Sequence, residues 1–176
     1  MKPHEVIDYL RNIKSYQCKV NITTTNDRQQ LKYEFTQFCD KVMGYRLELG
    51  SDRVQIYTEG KIYVNDLKNS AKYVLDSDFD QVRTISFIGE YIKLLYTNDK
   101  INYSKQNLEG KDYQLVDLLL PGTNRNLYKA VMYIDLKAYA PYKIIVFDNK
   151  GRERMLIEYI DFKANVELNK ELFKVG

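Results

Sequence analysis

The sequence has no tryptophan, one histidine, two cysteines and three prolines in 176 residues. Each scarcity excludes something. A Ser or Cys nucleophile needs a general base, usually His. The one histidine, His4, stands beside Pro3 near the terminus, where chain ends are poorly ordered. A zinc site takes about four Cys, His or carboxylate ligands, and one His with Cys18 and Cys39 falls short of that set. G-x-S-x-G, the Walker loop, G-x-G-x-x-G and H-E-x-x-H are missing too. The sequence therefore points away from an enzyme and calls for no cofactor. No apolar run reaches the ~18 residues of a membrane span. Met1–Glu5 lacks the apolar core of a signal peptide, as a trimmed secreted chain would. Net charge is +3, with no run of five or six basic residues, so a nucleic-acid partner is not expected.

What is present is tyrosine: 16 Tyr beside 7 Phe. Tyrosine suits strands and also half-wet interfaces. Hydrophobic content of 44% and charged content of 29% predict a folded chain, read as a single domain over residues 1–176.

The pattern along the chain is mainly that of strands. Pro3–Lys14 repeats Val6, Ile7, Leu10 and Ile13 at helical spacing. Ser15–Thr25 and Leu31–Cys39 alternate with period two around a polar turn, a predicted hairpin. Short alternating runs follow around Leu47, Val54, Ile62 and Ala71. From Asp80 to Thr97, Val82, Ile85, Ile88, Ile92 and Leu95 recur at three- and four-residue steps, predicting one amphipathic helix ended at Asn98. Strands resume at Ile101 and continue through Lys111, Lys129–Lys137, Tyr142–Asp148 and Glu153–Phe162, the last two joined across Asp148-Asn149-Lys150-Gly151. The expected fold is mainly β (α+β): a large curled antiparallel sheet, or open half-barrel, of about 11 strands, with the central helix on its concave face.

Several local motifs resemble the lipoprotein carrier superfamily of the LolA/LolB type. Val54–Thr58, Glu59-Gly60-Lys61 and Ile62–Val64 resemble its strand, "DGK" turn and strand. Gly110-Lys111-Asp112-Tyr113-Gln114-Leu115 resembles "G-x-x-Y-x-L". Tyr133-Ile134-Asp135-Leu136-Lys137 with Pro141-Tyr142-Lys143 resembles "W-I-D-x-K-x-x-x-P-x-K", with Tyr133 where Trp is common. Asp148–Gly151 and Tyr159–Asn165 resemble its final "D-x-x-G … Y-x-D-F-x-x-N". Within that superfamily the Lys- and Tyr-rich composition looks like the clostridial germination lipoproteins of the GerS type. That resemblance implies an extracytoplasmic spore lipoprotein, held to a membrane only through an upstream lipidated Cys. It also implies a peptidoglycan amidase partner of the CwlD type, acting on cortex peptidoglycan in germination. An acyl-chain or lipoprotein carrier using the concave face is the alternative.

Four aromatics stand beside polar neighbours on their strands and are candidate interface anchors: Phe38, Tyr57, Tyr63 and Tyr133. Edge strands of so large a sheet also invite a homodimer. Cys18 and Cys39 fall opposite each other if the hairpin is centred at Arg28 and Gln29, so the sequence leaves a disulfide open. Asp76, Asp78 and Asp80 resemble an acid pair, but read better as acids at a helix start.

Overall fold

The computed structural model describes residues 3–97 and 100–175. Helix α1 spans Pro3–Arg11. Strands follow as β1 (Ser15–Thr25), β2 (Gln30–Asp40), β3 (Gly44–Leu49), β4 (Arg53–Thr58), β5 (Lys61–Asp66) and β6 (Ala71–Asp76). A 3-10 turn at Ser77–Phe79 leads to two short helices, α2 (Gln81–Thr84) and α3 (Ile88–Thr97). Then come β7 (Asn102–Leu108), β8 (Lys111–Leu119), β9 (Lys129–Asp135), β10 (Ala140–Phe147) and β11 (Glu153–Ala164), and a last 3-10 turn at Lys170–Phe173. The strands form one 11-stranded sheet in the order β6-β5-β4-β3-β2-β1-β11-β10-β9-β8-β7. It does not close into a barrel, so β6 and β7 are its free edges.

Contacts divide the chain into two compact units. One holds the residues up to Asn12, Asn21–Tyr33 and Phe87–Tyr159. Its core face is set by register. Gln114 pairs with Ile134, Val116 with Met132, Ile144 with Ile157, and all are buried. Helices α1 and α3 touch each other and supply Val6, Leu10, Ile88 and Tyr91 to the buried set.

The other unit holds Ile13–Val20, Glu34–Ser86 and the residues from Ile160 on. Its core face carries Gln37, Leu47, Gln55 and Val64 in one cross-strand row. Here the face opposite the core is also covered around Phe38 and Ile56. After β11, Asn165 turns with φ 56°. Its N–H bonds the Ser15 carbonyl at 2.7 Å, and its Oδ1 accepts from the Lys14 N–H at 2.9 Å. The chain then runs on as a strap. Arg46 Nη1 donates to the Leu172 carbonyl at 2.9 Å, and Phe173 is buried. Phe38, Arg46 and Ile56 share one row on that face, which is why Phe38 and Ile56 are buried.

The single helix expected over Asp80–Thr97 is in fact two. Asp80 caps α2, its Oδ1 accepting from the Arg83 N–H at 3.1 Å. Ser86, fully buried, then donates to the Arg83 carbonyl at 2.6 Å. A serine that takes a backbone carbonyl competes with the helix ladder. Gln37 holds that serine in place through Nε2, at 2.8 Å. Of the five residues expected on the covering face, Ile88 is buried, while Val82, Ile85, Ile92 and Leu95 are half-buried. Phe87 and Tyr91 take the buried positions instead. Asn98, expected as the helix end, lies outside the described residues.

Candidate functional site

The face of β8–β11 opposite the core carries apolar side chains that are not fully buried. Register again sets it. One row runs Leu115, Tyr133, Lys143, Glu158, and the next Asp117, Val131, Ile145, Leu156. Leu115, Val131, Tyr133, Ile145 and Leu156 are all half-buried, whereas the core-face residues Ala130, Ile134, Ile144 and Val146 are 0% exposed.

An aromatic–lysine cluster caps this face at its Tyr113 end. The register shifts between Pro141 and Lys143, and the bulge leaves Tyr142 43% exposed. Its ring stacks on Tyr113 with centroids 4.9 Å apart, and Tyr133 meets Tyr113 edge-on at 6.4 Å. The Lys143 ammonium lies 4.7 Å from the Tyr133 centroid and 5.7 Å from that of Tyr142, within cation–π range. Lys129 lies 5.5 Å over Phe147 and pairs with Asp117 at 3.4 Å. The Tyr113 hydroxyl is raised above its ordinary pKa by burial first, then by Tyr142 and Asp135. The cluster holds flat rings, aliphatic surface and cations, which bind by burial and stacking. It holds no nucleophile beside a base.

The four candidate anchors are spread over the molecule. Tyr133 belongs to the cluster. Tyr63 is half-buried on the far face of β5, between Ile56 and Val74. Phe38 and Tyr57 are corrected: both are buried. The strap lies over the Phe38 face. Tyr57 stands on the core face and donates to Asp80 Oδ2 at 3.0 Å. Burial and the Asp80 carboxylate raise its pKa further. Its polar neighbour Gln55 is itself buried and donates to the Tyr57 hydroxyl at 2.6 Å. Sequence reading missed Tyr113 and Tyr142 as site residues, although Tyr113 stands inside the G-x-x-Y-x-L motif and Tyr142 inside the P-x-K stretch.

The cysteine pairing is corrected too. Asn26 N–H bonds the Gln29 carbonyl at 3.1 Å, so the turn centres on Asp27 and Arg28. On an unbroken ladder that moves the residue opposite Cys18 from Cys39 to Gln37. Both cysteines are free thiols. Burial pushes the Cys39 thiol up to about 12 and raises Cys18 as well, so both stay protonated and unreactive. The acids Asp76, Asp78 and Asp80 are held apart in role: Asp80 caps α2, and Asp76 pairs with Lys61 at 2.5 Å. Asp148 is a turn clamp. Its carboxylate accepts from the N–H groups of Lys150 and Arg152 and from the guanidinium groups of Arg152 and Arg154, all at 2.8–2.9 Å. Burial alone would raise its pKa, but these donors hold it well below the usual carboxylate range.

A family model described as sporulation protein YdcC-like matches residues 1–173. No curated protein matches the chain. Among solved structures, an uncharacterized conserved protein from Thermus thermophilus is similar with a TM-score of 0.62 at 12% identity, covering 98% of this chain and 93% of that one. The structure of the CwlD amidase from Clostridioides difficile in complex with the GerS lipoprotein gives a TM-score of 0.52 at 22% identity, covering 93% and 96%. A LolA superfamily protein from Nitrosomonas europaea gives 0.47 at 13% identity, covering 99% and 98%. At these identities the first two likenesses speak for the fold.

Proposed function

The chain belongs to the YdcC-like family of sporulation proteins, and from that premise we propose that it is a non-catalytic protein-binding domain whose partner is a peptidoglycan amidase of the CwlD type. The observation that carries this reading is the apolar β8–β11 face with Tyr133, Tyr142 and Lys143 at its end. Aromatic anchors beside half-buried aliphatics are the anatomy of a protein interface. The GerS lipoprotein, which has a similar fold, was solved bound to CwlD, and that complex supports an amidase as the partner class. In this reading the domain sits outside the cytoplasm as a lipoprotein, and its binding activates the amidase for cortex modification in germination.

The carrier alternative needs a lined, open cavity on the core face. Ala130, Ile134, Ile144, Val146 and Ile157 are 0% exposed, which favours a packed core over a lipid channel.

The test is to mix the purified protein with a CwlD-type amidase from the same spores. Complex formation and stem-peptide release from peptidoglycan are then measured with and without it. A stable complex and faster release support the reading. Peptidoglycan cleavage by this protein alone, or no binding to any such amidase, overturns it.

A further inference from the structure

The two edges of the sheet differ in how they treat a second strand. The β4–β5 turn is a two-residue hairpin, with Thr58 paired to Lys61 and Glu59 and Gly60 at φ 52° and 74°. In such a hairpin the flanking pair exchanges both backbone bonds, and the bonding direction then alternates along the strand. Ile62, Val64 and Asp66 therefore bond toward β6. Their partners Leu75, Tyr73 and Ala71 bond back, in phase with the Ser77 N–H on the Gly60 carbonyl at 3.1 Å. That leaves the N–H and C=O groups of Lys72, Val74 and Asp76 aimed outward along the free edge. The edge is also apolar. Leu67, Tyr73, Val74 and Phe79 are four of the twelve exposed large hydrophobics among the described residues, gathered on one thirteen-residue stretch.

From this edge we infer that β6 is a self-association surface, pairing antiparallel with β6 of a second copy about Val74. Centred there, Val74 meets Val74, and Lys72 of each chain meets Asp76 of the other. All three outward-bonding residues are used, and opposite charges face each other on one side of the sheet. Tyr73 meets Leu75 on the other. Shifting the register by two residues loses a bonded pair and the charge match. The Lys61 ammonium, already on Asp76, adds a second cation to each acid.

β7 behaves oppositely. Its hairpin to β8 turns on Glu109 and Gly110, with Leu108 paired to Lys111. By the same alternation Tyr103, Lys105 and Asn107 bond outward. Self-pairing about the centre would set Lys105 against Lys105, the charged guard that edge strands use against association. The second copy is thus directed to β6. This inference stands apart from the amidase reading, which rests on the β8–β11 face.

The test is sedimentation equilibrium of the full chain across the micromolar range. Wild type is expected to dimerise, and Val74→Lys, which sets two lysines face to face, to be monomeric. Lys72→Asp should weaken the dimer about tenfold by opposing two acids on each side. Adding Asp76→Lys should restore it. Circular dichroism checks that each variant folds, and amidase binding by monomeric Val74→Lys separates this inference from the functional reading. A wild-type monomer, a dimer indifferent to Val74→Lys, or no rescue by the double exchange overturns the proposal.

Discussion

Phe38 and Tyr133 are both aromatic, both on a strand with polar neighbours, and both on the face opposite a core. Their surroundings differ. Phe38 lies in line with Arg46 and Ile56, and the chain after Asn165 is tied across that face by Arg46 and Leu172. Tyr133 is half-buried, held by Tyr113 and Lys143 and still open to solvent. An aromatic on an outward face is therefore an anchor only where the rest of the chain leaves it uncovered.

The strongest way to separate core from face is Ile88→Asp. Ile88 is buried in α3, so an unpaired carboxylate there should cost about 4 kcal/mol or more and unfold much of the protein. An unchanged melting temperature would show that α3 is not packed. Phe38→Ala comes next. Cavity formation under the strap should cost about 3 kcal/mol, measured by urea unfolding. A cost as small as that of an exposed site would mean the strap does not cover it.

Asp148→Asn tests the clamp that fixes the β10–β11 turn. Its folded pKa is depressed, so its contribution is complete above the ordinary Asp value of about 3.9 and fades as pH falls toward the depressed value. The variant should melt lower at neutral pH and show a flatter acid limb than wild type. Equal acid limbs would contradict the clamp. The smallest effect concerns the thiols. The denatured, unreduced protein should give two free thiols, and a reductant should leave the melting temperature unchanged.

Much of this was legible in the sequence because period two is a local property. Strands such as Lys129–Asp135 and Ser15–Thr25 follow directly from alternation. What alternation cannot tell is which face is covered by something distant. Phe38 is covered by a segment more than a hundred residues away, and Gln55 marks an inner face because Tyr57 and Asp80 satisfy it there. The break between α2 and α3 was hidden for a related reason: hydrophobic spacing continues through it, while the stop is a polar contact between Ser86 and Gln37. The cluster was half legible. Tyr113 stands in one motif and Tyr133 with Pro141-Tyr142-Lys143 in another, and only the pairing of β8, β9 and β10 brings them together.

On the proposed reading this tyrosine–lysine face, and not the strap-covered one, holds the amidase. The direct measurement is calorimetric titration of a CwlD-type amidase with wild type and with Tyr133→Ala/Tyr142→Ala. Truncating two interface anchors should weaken binding at least ~100-fold, while the variant's melting temperature stays close to wild type. Full affinity in that folded variant would contradict the account.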